Sequence, residues 1–416
     1  MYGAACAQSP VSTELAMKDT RLAFSVDTEG VPRYAVFFKD RPVILPSSLG
    51  FMLRDEATPL TRFRVAGMGK SEKDTTWHPV WGQERSIRDH YRQLTVHLVE
   101  KEAPYHRMDL EFRVFAHGVG FRYVFPKQAG LRYFIVSRER TRFNMAEDAK
   151  TFWIPGDYDT NEYLYTTSLL SRVNNTRMVN TSTAIAVRVA PDPYAVQTPL
   201  MMKTPAGLYI NIHEAALVNY PAMQLHVDTA RLSLVSSLVP DAVGNMAYLK
   251  TPCHTPWRTI IVSDKATDIL ASRMILNLND PSKITNTSWI KPMKFVGVWW
   301  AMQTGLKTWN YSDYPDSLSA QGTLIPNGRH GATTANVKRY IDFAAQYGFG
   351  GVLVEGWDTG WEDWFGHWKE NVFDFVTPYP DFDVREITRY AAAKGVKMIM
   401  HDETSGAATT YERQMD

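Results

Sequence analysis

From about residue 20 to 285, apolar and polar positions alternate with period two. Leu94-Thr-Val-His-Leu98 and Leu110-Glu-Phe-Arg-Val114 each turn their apolar side chains to one face, the pattern of a half-buried strand. Gly118 to Phe125 follows a His117-Gly118 turn and predicts a hairpin with the strand before it. Tyr34 to Phe38, Ala184 to Val189, Leu208 to Ile212 and Leu232 to Leu238 read as further strands, and Ala266 to Met274 as a short helix. Many short strands between turn signals predict a large antiparallel β-sandwich.

After residue 290 the period changes. Phe295 to Trp300 is a continuous apolar run that reads as a buried strand, followed by a long polar loop to Ala332. Val337, Tyr340, Ile341, Ala344 and Ala345 then recur at helical spacing, with Thr333 or Thr334 as N-cap and Gly348 at the end. Gly351 to Val354 reads as a second strand. Asp381 or Asp383 can cap a second helix that carries Val384, Ile387 and Ala391 on one face and ends at Gly395. Val396 to Met400 is a third strand. Strand, helix, strand, helix, strand predicts a parallel sheet. The expected organisation is a leader remnant or unordered terminus over 1–19, a sandwich over 20–288, and the first three βα units of a (β/α)8 barrel over 289–416. Three such strands leave an open parallel edge, so a longer chain is expected.

Composition narrows the classes. Hydrophobic content of 44%, charged content of 21% and a formal net charge of +1 fit a folded protein without the basic surface of a nucleic-acid binder. Cys6 and Cys253 make neither a disulfide framework nor a zinc pattern. No apolar run is long enough to predict a membrane span. The small-residue start, Gly3-Ala-Ala-Cys-Ala-Gln8, resembles the tail of a secretory signal, which predicts a periplasmic or secreted protein.

The candidate chemistry sits where the later strands end. Val352-Leu-Val-Glu355 delivers a carboxylate into a loop that holds Trp357, Trp361, Glu362, Asp363 and Trp364. Met398-Ile-Met400 ends the same way, at His401-Asp402-Glu403. Carboxylates can move protons, and flat indole faces stack on the C–H faces of sugar rings, so Trp361 and Trp364 are candidates to touch a sugar. Glu214, an acid in an apolar strand next to His213, reads as a buried strut in preference to a substrate contact.

Several motifs resemble glycoside hydrolase family 97, a bacterial family of calcium-dependent α-glucosidases and α-galactosidases. They are Trp77-His-Pro-Val-Trp-Gly82, Asn161-Glu-Tyr-Leu-Tyr165, Ile212-His-Glu-Ala-Ala-Leu217, Trp289 to Trp300, His330-Gly-Ala-Thr-Thr334, Val352 to Trp357, Trp361 to Gly366, Asp374 to Asp383 and His401 to Gly406. The resemblance implies a β-super-sandwich followed by a (β/α)8 catalytic barrel. It implies Glu162 as a ligand of Ca2+, Glu403 as the general base of an inverting enzyme, and Glu355 and His401 as binders of sugar hydroxyls. It implies that the general acid and the other calcium-binding glutamates lie past residue 416, so that residues 1–416 alone are expected to be inactive. Asp402 departs from the pattern, since the family commonly has a second histidine there. The implied activity is exo-acting, inverting hydrolysis of α-glucosidic bonds in maltooligosaccharides, with no organic cofactor. A retaining α-galactosidase and a non-catalytic carbohydrate-binding protein are the alternatives.

Overall fold

The computed structural model describes residues 10–56, 59–158, 161–176, 192–241, 243–316, 319, 322–364 and 372–403. The chain divides into two compact units, residues 1–283 and 284–416.

In the first unit, an eight-stranded and a ten-stranded antiparallel sheet stack face to face, with a smaller three-stranded sheet beside them. The period-two pattern sets the register. Leu94 stands opposite Phe112 and Val96 opposite Leu110, all four fully buried. The expected hairpin forms between Arg107–Phe115 and Gly118–Phe125, with Val114 opposite Val119. Rings from the two large sheets meet between them: Phe24 lies 5.6 Å from Phe112, and Tyr34 lies 4.8 Å from Phe121. Each such buried side chain contributes roughly 1.5–3 kcal/mol over its exposed state. The sheet begins earlier than expected. Val11–Met17 pairs with Thr20–Val26 and buries Leu15 and Met17, so part of the stretch assigned to an unordered terminus is sheet. Ala184 to Val189 lies outside the described residues.

The centre of the sandwich carries ions. Arg258, fully buried, donates from Nε and Nη2 to Glu139 at 2.9 and 2.6 Å and from Nη1 to Glu214 at 2.6 Å. Thr141 and Tyr220 hydroxyls also donate to Glu139, and the Met223 amide donates to Glu214. Glu214 is therefore the strut its sequence context predicted. Burial, the largest single effect, works to raise the Glu139 pKa, but the Arg258 charge and the hydrogen bonds from Arg258, Thr141 and Tyr220 together outweigh it and hold the group low. For Glu214, burial wins over the same arginine and the pKa is raised.

The second unit is built on a three-stranded parallel sheet: β1 (Phe295–Val298), β2 (Gly351–Val354) and β3 (Lys397–Met400), in that spatial order. Helix α1 (Thr334–Tyr347) connects the first two strands and α2 (Val384–Ala393) precedes the third. Thr333 caps α1 by accepting from the Asn336 amide, and Asp383 caps α2 by accepting from the Glu386 amide. Gly348 ends α1 in the left-handed region, at φ 74°. Val337, Ile341 and Ala344 of α1 and Ile387 and Ala391 of α2 form one core with Val352 and Val354. The strand from Phe295 stops at Val298, two residues before the apolar run ends. Trp300 opens a short helix, Trp300–Gln303, and is 65% exposed, so the second of the paired tryptophans is neither strand nor core. Among the described residues, no helix is long and apolar enough to cross a membrane.

Candidate active site

Strand parity decides which side chains can meet. The in-register pairs Val352–Met398, Leu353–Ile399 and Val354–Met400 alternate between the two faces of the sheet. Val352 and Val354 point into the helix-covered core. Glu355 shares the parity of Leu353, and His401 and Glu403 share that of Ile399, so all three belong to the opposite face. The His401 amide donates to the Val354 carbonyl at 3.1 Å, which extends the ladder one residue past β3 and sets His401 beside Glu355.

The three groups act on one another electrically. His401 Nε2 lies 3.8 Å from Glu403 Oε2, an ion-pair distance and too long for a hydrogen bond. Its pKa is raised, chiefly by Glu403 and further by the Glu355 charge, against the opposing effect of burial. The main chain is tied as well, because Trp357 Nε1 donates to the His401 carbonyl at 2.9 Å. Asp402 turns the other way and is exposed, as alternation requires. Sequence reading thus brought three of its candidates to one edge of one sheet.

The loop tryptophans behave differently from expectation. Trp361 is 4% exposed, stacked on Trp309 at 6.1 Å and edge-on to Phe373 at 5.1 Å. It builds the interior of the loop cluster, where a sugar platform was expected. Trp364 is half-buried and packs edge-on against Phe373. Trp309, which sequence reading passed over, is half-buried and donates from Nε1 to Glu355 Oε2 at 3.1 Å. Glu362 is a strut. It accepts from the Tyr311 and Ser312 amides at 3.0 Å each and from the Tyr379 hydroxyl at 2.6 Å.

Asp358 was also unforeseen. It is fully buried, its Oδ2 has no hydrogen-bond partner among the described residues, and Oδ1 lies a long 3.4 Å from Trp361 Nε1. Burial, reinforced by the Asp402 charge, pushes its pKa up to about 7.

Glu162 belongs to the first unit, in the segment between Lys150–Trp153 and Thr166–Leu169, and its side chain is exposed. Calcium takes roughly six to eight oxygen ligands. Among the described residues no group of three or more histidines, cysteines, aspartates or glutamates is gathered to hold a metal, so the side chains described do not by themselves make a calcium site.

Comparison with known proteins accounts for both units. Residues 16–281 match the family described as Glycosyl-hydrolase 97 N-terminal, and residues 299–416 match Glycoside hydrolase 97. The chain belongs to glycoside hydrolase family 97. A family 97 enzyme from Pseudoalteromonas sp. strain K8, solved in complex with acarbose, is 36% identical with a TM-score of 0.80 over 95% of this chain and 55% of its own. A variant of that enzyme was solved with panose. A protein from Bacteroides thetaiotaomicron named retaining alpha-galactosidase is 24% identical over 93% of this chain and 55% of its own length. A probable retaining alpha-galactosidase from Streptomyces bingchenggensis is 28% identical over 90% of this chain and 49% of its own. The family 97 chain described here therefore spans about half the length of these relatives.

Proposed function

We propose that this chain carries part of the active site of an exo-acting, inverting glycosidase specific for α-glucosides such as maltooligosaccharides, and that its parallel sheet is the start of a (β/α)8 barrel. The observation that supports this most is the gathering of Glu355, His401 and Glu403 on one face at the carboxy-terminal end of that sheet, the end where barrel enzymes do their chemistry. In this reading Glu355 and His401 fix sugar hydroxyls by charge-assisted hydrogen bonds. Glu403 takes a proton from the water that attacks the anomeric carbon. The acid that protonates the leaving oxygen would stand roughly 6.5–9.5 Å from the base, the separation that admits the water. Trp364 remains the indole proposed to meet the sugar.

Specificity for α-glucosides is favoured by the higher identity to the enzyme solved with acarbose and panose than to the two proteins named α-galactosidases. Those two names support the second reading, a retaining α-galactosidase. Calcium is part of the proposal with Glu162 as one carboxylate ligand. The rest of its set would come from outside the described residues, and no chemical step is derived through it. Loss and recovery of thermal stability on chelation and calcium return would support the ion.

NMR of the first-formed anomer in the full-length enzyme tests the mechanism. A β-anomer from an α-glucoside, abolished by Glu403→Gln, supports inversion with Glu403 as base. An α-anomer, with hydrolysis of α-galactosides in preference, replaces this reading with the second.

A further inference from the structure

We propose that His330, backed by Asp381, is a positioning residue that holds the turn carrying Glu355. This rests on the reading of Glu355 as a sugar binder and adds the device that orients it.

Glu355 leaves β2 and the chain turns at once at Gly356, with φ +72°. A Cβ there would meet the Trp309 carbonyl oxygen at 2.9 Å and its Cα at 3.1 Å, so the turn presses directly on the segment whose indole bonds to Glu355. The Gly356 carbonyl is met by His330 Nε2 at 2.8 Å. A carbonyl only accepts, so Nε2 is the donor of this bond. Across the ring, Nδ1 faces both Asp381 oxygens, at 2.9 and 3.0 Å. Asp381 is itself held: its main-chain carbonyl accepts from the amide and hydroxyl of Thr334, both at 2.9 Å.

The imidazole has little room to drift. His330 is 4% exposed, with Tyr379 and Tyr311 edge-on to its ring at 5.1 and 6.0 Å. Its main chain pairs with Thr308, the residue before Trp309. Glu355 is thus gripped from two directions that share one support. Trp309 holds its carboxylate, and His330 holds the peptide that follows it. A carboxylate–imidazole–carbonyl chain spanning residues 381, 330 and 356 fixes the turn more stiffly than a backbone contact alone, because the ring is anchored at both nitrogens.

The test reads the Trp309 indole N–H resonance in the tryptophan-labelled chain, assigned by its disappearance in Trp309→Phe. His330→Asn keeps a donor near Asp381 but cannot reach Gly356, and His330→Gln restores a donor near the Nε2 position. The expected result is a displaced Trp309 resonance in His330→Asn and a near-native one in His330→Gln. In the full-length enzyme, His330→Asn raises KM roughly tenfold with a smaller change in kcat, and His330→Gln recovers most of the loss. A folded His330→Asn chain with an unmoved Trp309 resonance overturns the proposal, as does equal damage from both variants, the mark of a merely structural ring. If His330→Asn does not fold, Asp381→Asn decides: a smaller displacement in the same direction supports the proposal and none overturns it. Glu355→Gln separates the two levels. If it leaves KM unchanged, the sugar-binding reading fails, while the Trp309 resonance still judges the positioning.

Discussion

Trp309 Nε1 donates to Glu355 Oε2 at 3.1 Å, although the two residues lie 46 positions apart in the chain. One strand-end loop therefore orients the carboxylate that another strand presents. Trp309→Phe keeps an aromatic ring against Trp361 and deletes the donor. A hydrogen bond to a charged group is worth about 1.5–3 kcal/mol. The expected outcome is a KM raised about tenfold in the full-length enzyme. An unchanged KM would mean that Glu355 is oriented without the indole.

Asp358 makes stability depend on pH. Its folded-state pKa of about 7 lies above the ordinary value of 3.8. The unfolded chain therefore releases a proton across this range that the folded chain keeps. Stability is greatest below the lower value and falls as pH rises through about 7, by up to about 4 kcal/mol. Asp358→Asn removes the cost. Urea unfolding at pH 7.5 is expected to show a more stable variant, with the gap closing toward pH 4. Parallel stability curves for the two proteins would contradict this.

Arg258 stands between two carboxylates in a fully buried site. Arg258→Met strands both charges, at an expected loss of about 3–5 kcal/mol. Denaturant titration of the first unit's transition measures it. Glu214→Gln, which leaves the Arg258–Glu139 pair intact, is expected to cost less.

Thr333 offers a local check on the second unit. Thr333→Ala removes the side-chain acceptor for the Asn336 amide and is expected to cost about 1 kcal/mol. A loss indistinguishable from zero would show that water satisfies that amide equally well.

How far the sequence carried the structure depends on the range of each contact. Gly348 was readable, and the two N-caps were narrowed to Thr333 or Thr334 and to Asp381 or Asp383, because a cap lies within a few residues of what it caps. Glu355 and His401 were readable because a strand's apolar run announces its own end. The hydrogen bonds of His330 to Asp381 and Gly356 join residues 51 and 26 positions apart, and no periodicity reports such a meeting. Trp361 misled for the opposite reason. Its place in a loop after a strand end suggested an open indole, but the acids around it, Glu362 and Asp358, are buried too, Glu362 with its hydrogen bonds satisfied and Asp358 with its pKa raised by that burial. Val11–Met17 was passed over because only Leu15 and Met17 in it are buried, and two apolar positions do not make a period that stands out.

The grip of Glu362 on the Tyr311 and Ser312 amides and on the Tyr379 hydroxyl bolts three stretches of chain, from two inter-element connections, into one plate. Such a plate does not flex piecemeal. A ligand bound beside Glu355, as proposed, would meet this wall as a preformed surface and would not have to order it.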